Sequence, residues 1–444
     1  MKNKKYIASI MSFFVWGSGQ FFICRQRIKG LVIFALQALV VGIELGTGYW
    51  LEYLTGQFTD FSLRLHGGFF SKGIWGLITL GEKPRYDHSA MLLINGVITL
   101  IILAALGVIF LWNVADAFKT AGRIERDGYY ISSREYGRKV YHKMFAYVVL
   151  TPIAVLFVFV VAMPIIFACL TAFLNYNRDN LPPGNLLSWT GLANFRKLFD
   201  VPIWSDTFFQ VLLWNVIWTL SVTFITYFVG LFQAMILNHR CVRGKKIFQT
   251  ILILPWAIPQ MISLLVFRNM FNGQFGPVNQ FLLDAGMISE RIPFLTDPVI
   301  AKITVIGVAV WLGFPMFMVM MLGVFANIDQ SLYEAAATDG ANKFQIFRRI
   351  QMPLVFLTTA PLLVMNMAGN FNGFGLIYFL TKGGPTNPSY QFAGDTDILI
   401  SWIYKLTLDQ QMYNMAAVMS VLIFIFIGAV SFWNFKRTTS FKEL

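Results

Sequence analysis

About eight apolar runs divide the chain, at 30–50, 91–113, 144–174, 208–238, 247–270, 300–326, 355–381 and 413–435. A bilayer core takes about 20 apolar residues in a helix, so each run predicts a membrane span. Several runs are longer than a span needs, which licenses tilt or extension beyond the lipid. Many of their residues are β-branched or aromatic and would read as strand in water. In lipid a segment must satisfy its own backbone, and helix wins. The pattern predicts an all-α, polytopic membrane protein. Residues 6–23 are apolar enough to half-span, but Lys2, Lys4 and Lys5 flank one side and Arg25, Arg27 and Lys29 the other. Gly17-Ser18-Gly19-Gln20 also interrupts that run, so an amphipathic or re-entrant element is expected there. A cleaved signal peptide is not expected, because no small-residue cleavage site follows.

Charge turns the spans into a topology. The loop 114–143 carries seven Lys and Arg, the link 239–246 carries Arg240, Arg243, Lys245 and Lys246, and loop 327–353 carries Lys343, Arg348 and Arg349. The tail adds Lys436, Arg437 and Lys442. These segments alternate with neutral or acidic loops at 51–89, 175–207, 271–299 and 383–412. The positive-inside rule places the basic set, and both termini, in the cytoplasm. The net charge of +13 on 444 residues is thereby a record of orientation and leaves no basic stripe for nucleic acid. Only 13% of residues are charged and 57% are hydrophobic, which excludes a soluble protein and a disordered chain.

Chemistry is sparse. There is no GxxxxGK[ST] phosphate loop, no HExxH and no paired-Cys motif. The four His are scattered through loops, and Cys24, Cys169 and Cys241 read as inert thiols. Glu44, Arg268, Lys302 and Lys382 are the charges inside the predicted spans, all near outer ends where long side chains reach the interface. A buried proton relay is therefore not expected, and neither is an enzyme. A Na⁺ site of carbonyls would leave no charge signal, so an ion-coupled secondary transporter or channel stays as the alternative.

Loop 327–353 is the most patterned polar segment. Ser331 and Glu334 predict a capping box, Ala335, Ala336 and Ala337 propagate the helix, and Asp339-Gly340 ends it. A second short helix through Phe344, Phe347 and Ile350 leads to Pro353. The expected helix–turn–helix has an apolar face of Leu332, Tyr333, Phe344 and Phe347.

Tyr333-Glu334-Ala335-Ala336-Ala337-x-Asp339-Gly340-Ala341, followed by Ile350-x-Met352-Pro353, resembles the EAA motif of permease subunits of ABC importers. Leu254-Pro255-Trp256-Ala257-Ile258-Pro259, Trp311-Leu312-Gly313-Phe314-Pro315, Asn370-Phe371-Asn372-Gly373-Phe374 and Leu380-Thr381-Lys382-Gly383-Gly384-Pro385 resemble the MalF-type permease family of maltose and maltodextrin importers. The resemblance implies a six-helix core over 143–436 and a two-helix extension over 29–142. An N-terminal element at 1–28 precedes these, and a cytoplasmic tail at 437–444 follows. It implies alternating access for a neutral oligosaccharide, maltose or maltodextrin, in a bacterial cytoplasmic membrane. It further implies a MalG-like second permease, two ATPase subunits that bind ATP and Mg, and an extracytoplasmic sugar-binding protein. No cofactor is expected in this chain. Glu334, Ala335, Ala336, Asp339 and Gly340 would couple to the ATPases.

A neutral sugar needs a flat apolar surface and hydrogen-bonding amides or hydroxyls, placed where helices are broken. Trp256 and Gln260 stand four apart near Pro255 and Pro259, Gly313 and Pro315 are expected to break the sixth span, and Asn366 and Asn370 share a face of the seventh. By resemblance Trp256, Gln260, Leu312, Gly313, Met316, Asn366, Asn370 and Gly373 line the sugar site. Trp256 would stack, Gln260, Asn366 and Asn370 would hydrogen-bond, and Leu312 and Gly313 would shape the wall. Met316 stands where the maltose-binding relative has an aromatic residue. Gly373 and Ala309 stand where it has amides, so a less polar pocket is expected.

Overall fold

A computed structural model describes residues 3–57, 62–128, 130, 133–239 and 241–437, with side chains left undescribed over most of 133–144 and beyond 429. Arg240, Lys2 and the tail from 438 onward lie outside the described residues. Helices dominate, and every predicted span corresponds to helix. Six are long and apolar enough to cross a bilayer: Arg27–Thr47, Ser89–Asp127, Phe145–Thr171, Pro202–Asn238, Pro298–Ala326 and Lys343–Phe371. The predicted span at 247–270 is a bent pair, and the last span lies in the helix Tyr413–Arg437. The chain divides into two compact units, 1–192 with 420–444, and 193–419.

In the first unit, α1 (Lys4–Phe14) turns back through a π-helical segment, Gly19–Ile23, into α2 (Arg27–Thr47). A helix within the predicted loop 51–89, α3 (Phe69–Thr79), packs on the long α4 (Ser89–Asp127). Next come α5 (Ser133–Phe157) and α6 (Met163–Thr171), joined by a π-helical turn. Glu44 lies near the end of α2. It accepts hydrogen bonds from Trp50 Nε1 at 3.0 Å and the Phe70 N–H at 2.8 Å, tying α2 to α3. A buried ion pair, Lys29–Asp116 at 2.6 Å, joins α2 to α4. Gln20 donates to Asn113 beside it, so the returning segment is anchored by polar bonds that apolar packing could not supply.

The second unit is built on α7 (Pro202–Asn238), whose buried side chains include Trp214, Trp218, Val222, Tyr227 and Leu231. These pack on α10 (Pro298–Ala326) through Val305, Val308, Phe317 and Met321. Between α7 and α10 run α8 (Lys245–Ala257) and α9 (Gln260–Met270), bent 89° from each other. After α10 come α11 (Gln330–Thr338), α12 (Lys343–Ile346), α13 (Met352–Phe371), α14 (Phe374–Thr381), α15 (Leu399–Leu408) and α16 (Tyr413–Arg437).

The expected break in the sixth span is absent: α10 runs unbroken through Gly313 and Pro315. Pro315 is buried, and its neighbours Phe314 and Phe317 pack with Tyr227 and Leu231 of α7, so the helix holds where one hydrogen bond is lost. Gly313 serves that packing, since a Cβ there would lie 2.9 Å from Thr226 Cγ2.

Candidate functional site

Seven of the eight predicted sugar-site residues converge. Trp256, Gln260, Leu312, Gly313, Met316, Asn366 and Asn370 line one cavity of about 420 Å³ in the second unit, together with Thr226 and Ala309. That size lies within the range of small-molecule sites, roughly 300–1,000 Å³. Gly373 is not in the lining; it caps α14, and its N–H donates to the Asn370 carbonyl at 3.1 Å. The described lining carries no ionisable side chain.

Each wall has a local cause. Trp256 and Gln260 do not share a helical face as their spacing suggests. They lie on opposite sides of the bend, because Pro259 has no N–H and Ile258 before it is extended, ψ 135°. The bend brings both to the cavity nonetheless. Trp256 is 61% exposed, so its ring is available to a ligand. Asn370 Nδ2 donates to Asn366 Oδ1 at 2.9 Å and to Thr223 Oγ1 at 2.9 Å. The amides are therefore oriented, with Asn370 Oδ1 and Asn366 Nδ2 left as their outward groups.

The break between α13 and α14 is braced from α7. Trp218 Nε1 donates to the Asn370 carbonyl at 3.1 Å, and Asn215 Nδ2 donates to the Phe371 carbonyl at 3.1 Å. Asn215 Oδ1 also accepts from the Leu399 N–H at 2.9 Å. Sequence reasoning missed these residues and Thr226. Their signal was a stripe of Asn215, Trp218, Thr219, Thr223 and Thr226 at three- and four-residue spacing within an apolar run. Gly369 has open space where its Cβ would be.

Loop 327–353 forms the two helices expected, with different caps. Asp329, not Ser331, opens α11: its carboxylate accepts from the Ser331 N–H at 2.9 Å. That N–H, then the Ser331 hydroxyl, hold the Asp329 carboxyl below the usual carboxylate range. Glu334 is exposed and accepts from Gln330 Nε2 at 3.0 Å rather than reaching back to a cap. The capping box lies one helix later, between Asn342 and Gln345. Asp339 ends α11, and Gly340 follows with φ 77°. Of the apolar face, Tyr333 meets Gln351, whose Nε2 donates to its hydroxyl at 3.1 Å, while Leu332 and Phe344 are 46% and 67% exposed.

Helices of this kind, an internal cavity at a broken span and an exposed polar helix–turn–helix define a membrane transport subunit. Residues 227–439 match the family described as binding-protein-dependent transport system inner membrane component. The chain is 36% identical over 427 residues to the galactooligosaccharides transport system permease protein GanP of Bacillus subtilis (strain 168), covering 96% of each. It is 38% identical over 376 residues to the maltodextrin transport system permease protein MalC of Streptococcus pneumoniae serotype 4, covering 82% of this chain and 86% of that one. A bacterial ABC transporter involved in the import of the acidic polysaccharide alginate shares the fold. That match has TM-score 0.55 at 24% identity, over 68% of this chain and 99% of the other. The chain belongs to this family of inner-membrane permeases. It is a multi-pass permease subunit of an ATP-driven, binding-protein-dependent importer, and not an enzyme.

Proposed function

We propose that the chain carries a neutral oligosaccharide through the cavity beside Trp256, Gln260, Asn366 and Asn370. The observation that carries this reading is the lining: an indole, three amides and a threonine hydroxyl, with no ionisable group. Sugars present C–H faces and hydroxyls, which such a surface matches, whereas an acidic polysaccharide asks for cations. Maltodextrins and galactooligosaccharides, transported by relatives, are the first ligands to try. The large exposure of Trp256 supports a reading in which this chain supplies one wall and a MalG-like second permease the other.

The transport cycle is alternating access. An extracytoplasmic sugar-binding protein delivers the ligand, and two ATPase subunits close on ATP and Mg. The helix–turn–helix of α11 and α12 transmits their movement, with Glu334, Ala335, Ala336, Asp339 and Gly340 at the contact. ATP shifts the equilibrium because it binds the closed ATPase pair more tightly than the open one. The chain lies in a bacterial cytoplasmic membrane with both termini in the cytoplasm.

The test is uptake of labelled maltooligosaccharides into vesicles carrying this chain with its partners. ATP-dependent uptake that survives collapse of ion gradients is expected. Uptake by this chain alone, driven by an ion gradient, would instead establish a secondary transporter. Glu334→Ala is expected to weaken ATPase coupling while the chain still inserts, since Asp329 and not Glu334 caps α11. Unchanged coupling would remove Glu334 from the contact.

A further inference from the structure

The helices α1 and α4 of the first unit are packed side by side. They run antiparallel. The backbone N–H of Lys4 donates to Glu125 at 2.8 Å, Tyr6 meets Phe118 edge-on at 5.5 Å, and Phe13 meets Phe110 at 5.3 Å. Two depressions lie along this seam. One, of about 890 Å³, is lined by Lys5, Lys119, Arg123 and Arg126, with Glu125. The other, of about 420 Å³, is lined by Phe13, Phe110, Leu111, Val114 and Phe118. They share Phe118 and Lys119, so they are continuous.

Polarity changes at the same level on both walls. Along α4 the lining is apolar at Leu111, Val114 and Phe118 and basic at Lys119, Arg123 and Arg126, and within each set the positions are three to four apart. Along α1 the order is reversed, with Phe13 beside the apolar half and Lys5 beside the basic half. The acid in the basic half, Glu125, is already engaged by the N–H groups of Asn3 and Lys4. Arg126 lies 3.9 Å from Asp127, an exposed pair.

We propose that this seam binds one anionic phospholipid, with its phosphate among Lys119, Arg123 and Lys5 and an acyl chain along Phe110, Leu111 and Val114. From Phe110 to Lys119 the helix rises about 14 Å, enough for a headgroup and the upper part of a chain. A soluble anion would use only the basic half and leave the apolar groove without purpose. Basic pockets between membrane helices are suited to anionic headgroups. The lipid joins α1 to α4 and so steadies the N-terminal element.

The test is native mass spectrometry of the complete importer with palmitoyl-oleoyl phosphatidylglycerol, the phosphatidylcholine of the same chains, and glycerol 3-phosphate. Wild type is expected to retain the glycerol lipid about tenfold better than the choline lipid. Lys119→Ser with Arg123→Ser is expected to abolish that preference while the melting temperature and ATPase assembly hold. Lys119→Arg with Arg123→Lys is expected to restore it. Leu111→Ser is expected to weaken both lipids. Equal retention of the two lipids by wild type would overturn the proposal, as would glycerol 3-phosphate competing on equal terms. So would a double serine variant that keeps its lipid preference but loses the ATPases, which would give the basic half to a protein partner.

Discussion

Two helix breaks face the same cavity and are made in opposite ways. Between α8 and α9 the chain bends 89° at Ile258–Pro259, and no side-chain hydrogen bond among the described residues braces it. Proline chemistry alone makes that break. Between α13 and α14 the chain opens at Asn372 and Gly373, and Trp218 and Asn215 of α7 hold the freed carbonyls. There the break depends on a neighbouring helix. The unbraced side presents an exposed indole, while the braced side presents amides in set orientations. One break thus offers an adaptable surface and the other a rigid one, a division suited to a ligand of repeating but variable length.

Asn215→Leu should have the largest effect. It removes the donor to the Phe371 carbonyl and the acceptor of the Leu399 N–H, a loss of about 2–4 kcal/mol, with the membrane setting favouring the lower end. Thermal unfolding of the purified importer checks this; an unchanged midpoint would mean that the break needs no brace. Asn370→Ala comes next. Its carbonyl keeps Trp218, so assembly should persist while apparent sugar affinity falls about tenfold, near 1.4 kcal/mol. Equal loss of uptake and assembly would make Asn370 a packing residue.

Trp256→Ala should lower sugar affinity about three- to tenfold, as expected for loss of one aromatic contact of 0.5–1.5 kcal/mol. Its melting midpoint should barely move, because the ring is largely exposed. A large drop in the midpoint would show the supposedly adaptable side to be structural. Gly369→Ala is the mildest. It adds a methyl into open space in a helix and should stabilise the chain by up to about 1 kcal/mol. Loss of importer assembly in this variant would show that another subunit approaches there.

Much of the site was legible because amides, glycines and prolines are costly in an apolar run and stand out against it. Gln260, Asn366 and Asn370 stood out that way, and the resemblance to the MalF-type permeases assigned them, with Trp256, to the sugar site. Gly373, assigned by resemblance, caps α14 and lies outside the lining of the cavity. Pro315 misled because a proline costs a helix about 3 kcal/mol in isolation, whereas here the helix around it is packed on α7. Thr226 and Asn215 went unread since threonine and a lone amide are ordinary in helices until a partner is seen across from them. Lys29 and Asp116 were assigned to loops because the apolar runs stop just short of them, yet α2 and α4 continue and pair them in the interior.

Sequence alone determined what depends on neighbours along the chain. The spans, the polar helix–turn–helix and the proline bend follow from hydropathy and backbone chemistry within a few turns. Only the tertiary structure decided which break is braced. It also decided how the cavity closes around Thr226, and where α1 lies against α4. Those outcomes rest on hydrogen bonds and packing between residues up to about a hundred or more positions apart, and no local pattern records which distant partner a polar group will meet.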